Sequence, residues 1–348
     1  MTYARRVLIT VLGAAVLTAA FAFRAHVVRA RAFRLDHVAA PFPYFPAGAV
    51  WTEDISHAPI DPQSSTIISW LNDAGGWGTG KMRVDFAIRV LQANASTPRI
   101  PFHPAKEFYT PDSDLVSAVP LPPGGGMEGQ SGYQCPVGQQ DCHLIVVDRG
   151  DAKLYEAYEA NETNQINDDG PSLSAVFLAV WNLNRVYPPS GRGDQCTSAD
   201  AAGFPIAPLL FNADDLARGS IDHAIRFILP NPRIRAGVFV HPATHAGGPR
   251  GPASSPPYGV HLRLKASYDI SHLKPAAQVV ARAMQKYGMF LSDGGNIALT
   301  AQNDAETQVK YRDVGFGTND LQSLKVTDFE VLKFGKPIPV TNDCVRNP

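Results

Sequence analysis

Short apolar segments separated by turn residues dominate the pattern along this chain. Residues 84–90 alternate apolar with polar or small side chains, as in a strand with one buried face. Residues 143–149 and 151–160 are apolar segments joined by a turn at 149–151, and they predict a hairpin. Residues 289–301 predict two short strands around an Asp-Gly-Gly-Asn turn. Further strand-like patterns occupy 176–183, 221–229, 236–245, 259–267 and 329–334.

Helical signals are fewer. Residues 59–71 predict a helix with Asp61 as its cap and a proline at its first position. Residues 212–219 predict a short helix that begins at a capping asparagine and ends at a glycine. Residues 273–288 have the clearest helical pattern, with a proline near the start and Gly288 after the end.

Many short strands, few helices and abundant turn residues predict a mainly β fold. We expect an antiparallel β-sandwich or jelly-roll-like body with two or three α-helices. A parallel doubly wound sheet would need regular alternation of strand and helix, which the pattern lacks. Residues 97–133 are rich in proline and glycine and predict a long functional loop that contains Glu128.

The first 34 residues differ from the rest of the chain. Arg5 and Arg6 precede the uncharged, mainly apolar run 7–23, and four further arginines follow it by position 34. This pattern predicts either a signal peptide or an N-terminal membrane anchor over 1–34, in contact with the membrane, and a single β-rich exported domain over 35–348. The domain would then be periplasmic, extracellular or anchored to the outer face of the inner membrane.

Composition narrows the class of protein. The 348 residues are 45% hydrophobic and 18% charged, with 29 Gly and 29 Pro, which is typical of a loop-rich globular protein. The formal net charge is −1, so there is no general basic field to attract phosphates, and a nucleic-acid partner is not expected. No cofactor-binding motif is present, and none of the common motif-borne mechanisms is supported.

The four cysteines are even in number, which in an exported chain suggests disulfides. Three pairings are possible. Cys135 and Cys142 enclose only PVGQQD and could close locally, which leaves Cys196 to pair with Cys344. Free buried thiols are the alternative. A zinc site is not indicated, because no close CxxC pair exists.

Five motifs stand out along the chain. They are HLIVVDR at 143–149, TSADAAGFPIAP at 197–208, HAIRF at 223–227, RLKASYDI at 263–270 and KYGMFLSDGG at 286–295. Together these motifs resemble a widespread family of exported bacterial proteins of unassigned function. The resemblance implies a common fold and export, and it implies no reaction. Where that family usually has Asp-Asn-Gly, this chain has Asp293-Gly294-Gly295, so the asparagine side chain is not essential here.

Residues 196–227 are the segment around which we expect a site. Small residues there permit close backbone approach, and the polar groups among them have no amphipathic surface to occupy. We expect Asp200, His223 and at least one residue of 263–269 or Asp293 to line a single cleft. The alternative for Asp200 is a helix cap.

The candidate catalytic residues are mainly carboxylates at turns, because paired carboxylates can hydrolyse glycosidic bonds. They are Asp200, Glu128, Asp148 and Asp293, with His223 as an orienting group. Each could instead cap a turn or be solvated. The candidate substrate-binding residues are Arg226, Arg263, Lys265 and Trp51, for which a solvated basic face and a core position are the alternatives.

Three functional hypotheses follow. The first is an exported glycoside hydrolase acting on polysaccharide, with Asp200 and one of the other three carboxylates as the acid–base pair. The second is a non-catalytic carbohydrate-binding or envelope protein. The third is a metalloenzyme with histidine ligands, which would require at least three of the candidate histidines or carboxylates to converge; the histidines are His143, His223, His241 and His245.

Overall fold

The computed structural model describes residues 44–135, 141–163 and 170–347. Within these ranges strands outnumber helices, so the expected mainly β class with few helices is confirmed. The helices are α1 (Ser64–Asp73), α2 (Ala213–Arg218) and α3 (Pro275–Lys286). The strands are β1 (Val84–Ile88), β2 (Leu91–Ala93), β3 (Arg99–Pro104), β4 (Ala118–Pro120), β5 (Leu144–Asp148), β6 (Lys153–Tyr158), β7 (Asn161–Thr163), β8 (Ser172–Ala175), β9 (Phe177–Asn182), β10 (Ile225–Leu229), β11 (Val238–Phe239), β12 (His261–Leu264), β13 (Met289–Gly294), β14 (Leu299–Gln302), β15 (Phe329–Val331) and β16 (Ile338–Pro339).

The strands form a six-stranded sheet, two four-stranded sheets and a short ribbon. The six-stranded sheet has the order β1-β14-β10-β13-β12-β15, and the ribbon is β11-β16. The four-stranded sheets have the orders β2-β5-β6-β9 and β4-β3-β8-β7. All three larger sheets are mixed, because β1–β14, β10–β13, β2–β5 and β3–β8 are parallel pairs. This differs from the purely antiparallel body that we expected.

The six-stranded sheet also corrects the predicted arrangement of residues 289–301. The two predicted strands exist as β13 and β14, but β10 lies between them. It runs parallel to β13 and antiparallel to β14. The chain from β10 to β13 includes β12 and α3, and this long connection is what parallel pairing requires.

Local signals placed most other elements correctly. The β5–β6 hairpin forms, and Asn212 caps α2 in a capping box with Asp215. Gly219 ends this helix with a φ of 85°, and α3 begins at its predicted proline. The predicted long loop over 97–133 was wrong in part, because it contains β3 and β4.

Two hydrophobic clusters hold these sheets together. The larger one includes the apolar faces of α1 and α3 and much of the six-stranded sheet, where the Trp77 ring lies 6.0 Å from that of Phe227 and 5.4 Å from that of Phe329. The smaller one includes residues of both four-stranded sheets, among them Leu91 and Phe102.

Both predicted disulfides are confirmed. Cys135 is bonded to Cys142 with an S–S distance of 2.03 Å, and Cys196 is bonded to Cys344 at 2.02 Å. Two disulfides that leave no free thiol indicate an oxidising, exported environment. None of the helices in the described ranges has the length and apolarity to cross a bilayer. The predicted signal or anchor over 1–34 lies outside the described residues.

Candidate functional site

A charged side chain lies in the middle of the six-stranded sheet. Arg226 of β10 is only 3% exposed, and a buried guanidinium needs partners for its N–H groups. Its Nε and Nη2 donate to Asp200 Oδ2 at 3.1 and 2.8 Å. Its Nη1 donates to Thr300 Oγ1 of β14 at 2.7 Å, and Nε also donates to Ser292 Oγ of β13 at 3.1 Å. Three adjacent strands and one loop therefore surround a single buried charge.

A β-bulge in β13 adds a second carboxylate to this cluster. Phe227 of β10 pairs with Leu291, but the next residue of β10, Ile228, pairs with Asp293, so β13 has one extra residue at this point. Neighbours in a regular strand face opposite sides, and a bulge changes that alternation. Consequently both Ser292 and Asp293 reach Arg226, and Asp293 Oδ2 lies 3.6 Å from Arg226 Nη2.

The loop that supplies Asp200 is a compact turn. Asp200 Oδ1 accepts the backbone N–H of Ala202 at 3.1 Å, and Ser198 Oγ accepts the N–H of Asp200 at 2.9 Å. This is a turn within the loop, so the helix-cap alternative for Asp200 was wrong. Gly203 has a φ of 82°, and a Cβ there would lie 2.0 Å from Thr244 Oγ1. The predicted close backbone approach is confirmed.

A buried histidine links this loop to the loop of Glu128. His143 Nδ1 lies 2.6 Å from Glu128 Oε2, and its Nε2 lies 2.9 Å from the carbonyl oxygen of Ala199. A carbonyl and an ionised carboxylate only accept hydrogen bonds, so both ring nitrogens carry a proton. Burial opposes this charge, but Glu128 outweighs it and the pKa of His143 is raised to about 9. Burial would also raise the pKa of Glu128, yet His143 holds it below its usual value.

His143 and Asp293 line a cavity of about 690 Å³. Its volume is in the range typical of small-molecule sites, which is about 300–1,000 Å³. The side chain of Asp293 is 31% exposed and forms part of the wall, whereas the side chain of Asp200 is 0% exposed and lies behind it. The lining residues are Tyr109, Asp112, Asp141, His143, Tyr158, Gln195, Thr197, Ser198, Ala199, Ala201, His245, Ala246, Gly247, Asp293, Gly294 and Asn342.

The two aspartates next to Arg226 have perturbed pKa values. Burial raises the pKa of Asp200 to about 7, Arg226 opposes that shift, and the negative charge of Asp293 adds to it. Burial also raises the pKa of Asp293, while Arg226, the Gly294 N–H and His143 act in the opposite direction. Asp293 is thus a carboxyl group with a raised pKa that is accessible from the cavity.

His223 and Trp51 lie elsewhere. They line a second cavity, of about 490 Å³, and the predicted single cleft with Asp200 and Asp293 was therefore wrong. His223 lies just before β10, and its Nδ1 donates to the carbonyl oxygen of Ala224 at 2.8 Å. Trp51 is 5% exposed and packs edge to face on Phe204, so most of its ring belongs to the core.

Three other predicted site residues have partners away from the first cavity. Asp148 accepts a hydrogen bond from Arg99 Nη2 at 2.6 Å and stabilises the β5–β6 turn through the N–H of Gly150. Arg263 pairs with Glu330 on the neighbouring strand β15, and Lys265 donates to the carbonyl oxygen of Thr327 at 2.7 Å. None of the three lines either of the two cavities described here.

The described residues do not assemble the histidine-rich metal site of the third hypothesis. The group of candidate ligands close enough to share an ion is Asp112 with Cys196 and Cys344. Both of these sulfur atoms are in a disulfide and cannot act as thiolates. His241 instead pairs with Asp194 at 2.8 Å.

Ser292, Thr300, Tyr109 and Tyr158 were missed by sequence reasoning. Ser292 and Thr300 had a weak signal in the sequence. Each is a polar residue inside a buried strand, and buried polar groups need partners. The two tyrosines had no local signal that would place them at one cavity.

The fold and the cavity define a strand-rich, disulfide-bonded protein in which a buried ion pair supports a carboxyl group in the wall of a polar cavity. No family model, no curated protein and no solved structure matches the chain. The resemblance to exported bacterial proteins therefore stays a prediction.

Proposed function

We propose that this chain is an exported hydrolase of glycans in which Asp293 is the general acid. The observation that supports this most directly is the position of Asp293. Its carboxyl group lies in the cavity wall, accepts the N–H of Gly294 at 2.6 Å and is backed by the buried Arg226. Such a group is oriented by the fold and is open to a ligand.

The cavity has features that suit a sugar. Tyr109 and Tyr158 supply aromatic surface, against which the apolar face of a sugar ring can pack. Asn342 supplies an amide group that can both donate to and accept from hydroxyl groups. A mixture of aromatic, amide and charged groups is better suited to a polar ligand such as a glycan than to a purely apolar ligand.

Cleavage of a glycosidic bond needs a proton on the departing oxygen. A carboxyl group with a raised pKa keeps its proton closer to neutral pH and can supply it. Burial shifts the pKa of Asp293 upward, in the direction that a general acid needs, while Arg226 and the Gly294 N–H act against this shift. Asp200 is not accessible to a substrate, so its role in the proposal is to hold Arg226 and, through it, Asp293.

One observation favours non-catalytic glycan binding instead. Glu128, a predicted second carboxylate of the acid–base pair, is already paired with His143 and does not line the cavity formed by the described residues. A paired-carboxylate mechanism with Glu128 is therefore not supported. The same cavity could hold a glycan without cleaving it.

The two disulfides support the proposed location of the protein. The domain would act in the periplasm, outside the cell or on the outer face of the inner membrane, where disulfides persist. Residues 1–34 would direct export or anchor the chain in the membrane. Its substrate would then be a polysaccharide of the cell envelope or of the surroundings.

The proposal is tested with the purified full chain and a panel of polysaccharides and oligosaccharides, by measuring product release and, in parallel, binding. We expect Asp293→Asn to lower kcat by about 100-fold or more with little change in binding. Asp313→Asn is the matched control, because the Asp313 side chain is similarly exposed, at 35%, and lies outside both cavities. Binding without turnover by the unaltered chain would favour the non-catalytic alternative, and no binding would refute both.

A further inference from the structure

We propose that His245 is the general base that acts together with Asp293. This inference rests on the proposed hydrolase function and deepens it, because a hydrolase with one acid still needs a group to activate water. His245 lines the same cavity as Asp293 and Gly294. His245 lies in the loop after β11 and Asp293 lies in β13, so the two groups come to the cavity from separate segments of the chain.

The hydrogen bonds of the ring determine which nitrogen can act as a base. His245 Nδ1 lies 3.0 Å from the carbonyl oxygen of Ala201. A carbonyl only accepts, so Nδ1 carries the proton, and in the neutral ring Nε2 then has the lone pair. Within the described residues Nε2 makes no hydrogen bond, which leaves it available to a water molecule in the cavity.

His143, the other histidine of the cavity, cannot take this role. Both of its nitrogens are used, one against Glu128 and one against the carbonyl oxygen of Ala199. It is a doubly protonated ring with no lone pair to accept a proton. His245 is therefore the better candidate of the two.

The backbone around His245 is held firmly. The N–H groups of Thr244 and His245 both donate to the carbonyl oxygen of Ala202, at 2.9 and 3.3 Å. Thr244 Oγ1 donates to the carbonyl oxygen of Cys196 at 2.7 Å, and the N–H of Gln195 donates to the carbonyl oxygen of Thr244 at 2.7 Å. These bonds hold the backbone at His245, the Nδ1–H bond to Ala201 orients the ring, and a preorganised base loses little freedom on binding.

One short turn supports both proposed groups. Asp200 pairs with Arg226, which backs Asp293, and the carbonyl oxygen of the next residue, Ala201, accepts the ring Nδ1–H of His245. The acid and the base therefore share a common anchor in residues 200–202. Residues 200–202 would therefore have a role in positioning both groups, in addition to allowing close packing.

The reaction balances as follows. A water molecule attacks the anomeric carbon while Nε2 of His245 takes one of its protons, so a new C–O bond forms. The glycosidic C–O bond breaks, and Asp293 gives its proton to the departing oxygen. Water then returns a proton from His245 to Asp293. Because water attacks directly from the face opposite the leaving group, the product has the inverted anomeric configuration.

The test uses the full chain with a glycan that the unaltered protein hydrolyses. We expect His245→Gln to lower kcat by about 100-fold or more and to change the ligand dissociation constant by less than about threefold. His241→Gln is the matched control, since His241 lies in the same loop but pairs with Asp194 and does not line the cavity. Added imidazole should restore part of the activity of His245→Ala, which a structural role would not predict.

Several outcomes would overturn the inference. If the unaltered chain hydrolyses glycans but His245→Gln keeps its kcat, or if the product retains its configuration, the base role fails while the hydrolase proposal stands. If no glycan is hydrolysed, the proposed function fails and the base role fails with it. Nitrogen-15 NMR of the unaltered protein is independent of activity and of variant folding, and a proton on Nε2 in the neutral ring would refute the assigned tautomer.

Discussion

Asp200→Asn tests the buried ion pair directly, because it removes one charge with almost no change in shape. Asp200 Oδ2 accepts two N–H groups of Arg226, and Oδ1 accepts the N–H of Ala202. An asparagine must point its NH₂ group either toward the Arg226 guanidinium or toward the N–H of Ala202. Either way a donor then faces a donor, and Arg226 loses its closest counter-ion, with Asp293 Oδ2 remaining 3.6 Å from Nη2.

The expected cost can be worked out from burial. Both side chains are almost inaccessible, at 4% for Arg226 and 0% for Asp200. Removing one partner of such a pair typically costs about 3–5 kcal/mol, since the other charge stays buried and uncompensated. For a domain of this length 1 kcal/mol corresponds to roughly 1.5–2 °C, so we expect the thermal midpoint to fall by about 5–10 °C.

The measurement is calorimetric or urea-induced unfolding of Asp200→Asn beside Asp313→Asn, a substitution of the same kind at a more exposed position. The double variant Asp200→Asn/Arg226→Met should recover part of the loss, because it also removes the uncompensated charge. A midpoint within 2 °C of the unaltered chain would refute the reasoning, as would strictly additive effects in the double variant.

Two further predictions concern stability. The pKa of His143 is raised from 6.5 to about 9, so its pair with Glu128 contributes stability that is complete below pH 6.5 and is lost as the pH rises through 9. The loss should be roughly 3 kcal/mol by urea unfolding and should be absent in His143→Gln; an equal loss in both chains would contradict it. Gly203→Ala should cost about 1–3 kcal/mol more than Gly219→Ala, because both residues have positive φ but only Gly203 meets Thr244; equal costs would contradict the close contact.

Local chemistry accounts for most of the elements that sequence reasoning placed correctly. Helix α2 has an asparagine cap, an acidic third residue and a terminal glycine, all within one short segment. The β5–β6 hairpin needs only two apolar runs and a tight turn. The Cys135–Cys142 pair spans seven positions, and the other pair then follows. Each of these features is decided by residues that are neighbours in sequence.

Pairing between distant segments accounts for what was missed. Neither the position of β10 between β13 and β14 nor the bulge at Asp293 can be read from an apolar pattern, because both depend on which strand lies alongside. His223 was expected at the site because it belongs to the segment 196–227, but it lies before β10 and lines another cavity. Asp200 was expected to line the cleft, but its side chain is inaccessible and lies behind the cavity wall.

The buried ion pair is difficult to explain by stability alone. Replacing such a pair with well-packed apolar residues is often neutral or even stabilising, so its presence is weak evidence of a stabilising role. Its geometry suggests another reason. Arg226 is held by Asp200, Ser292 and Thr300 on three sides, and Nη2 lies 3.6 Å from the accessible carboxylate of Asp293. A charge fixed in this way can orient one cavity-facing carboxyl group, which an apolar side chain at position 226 could not do.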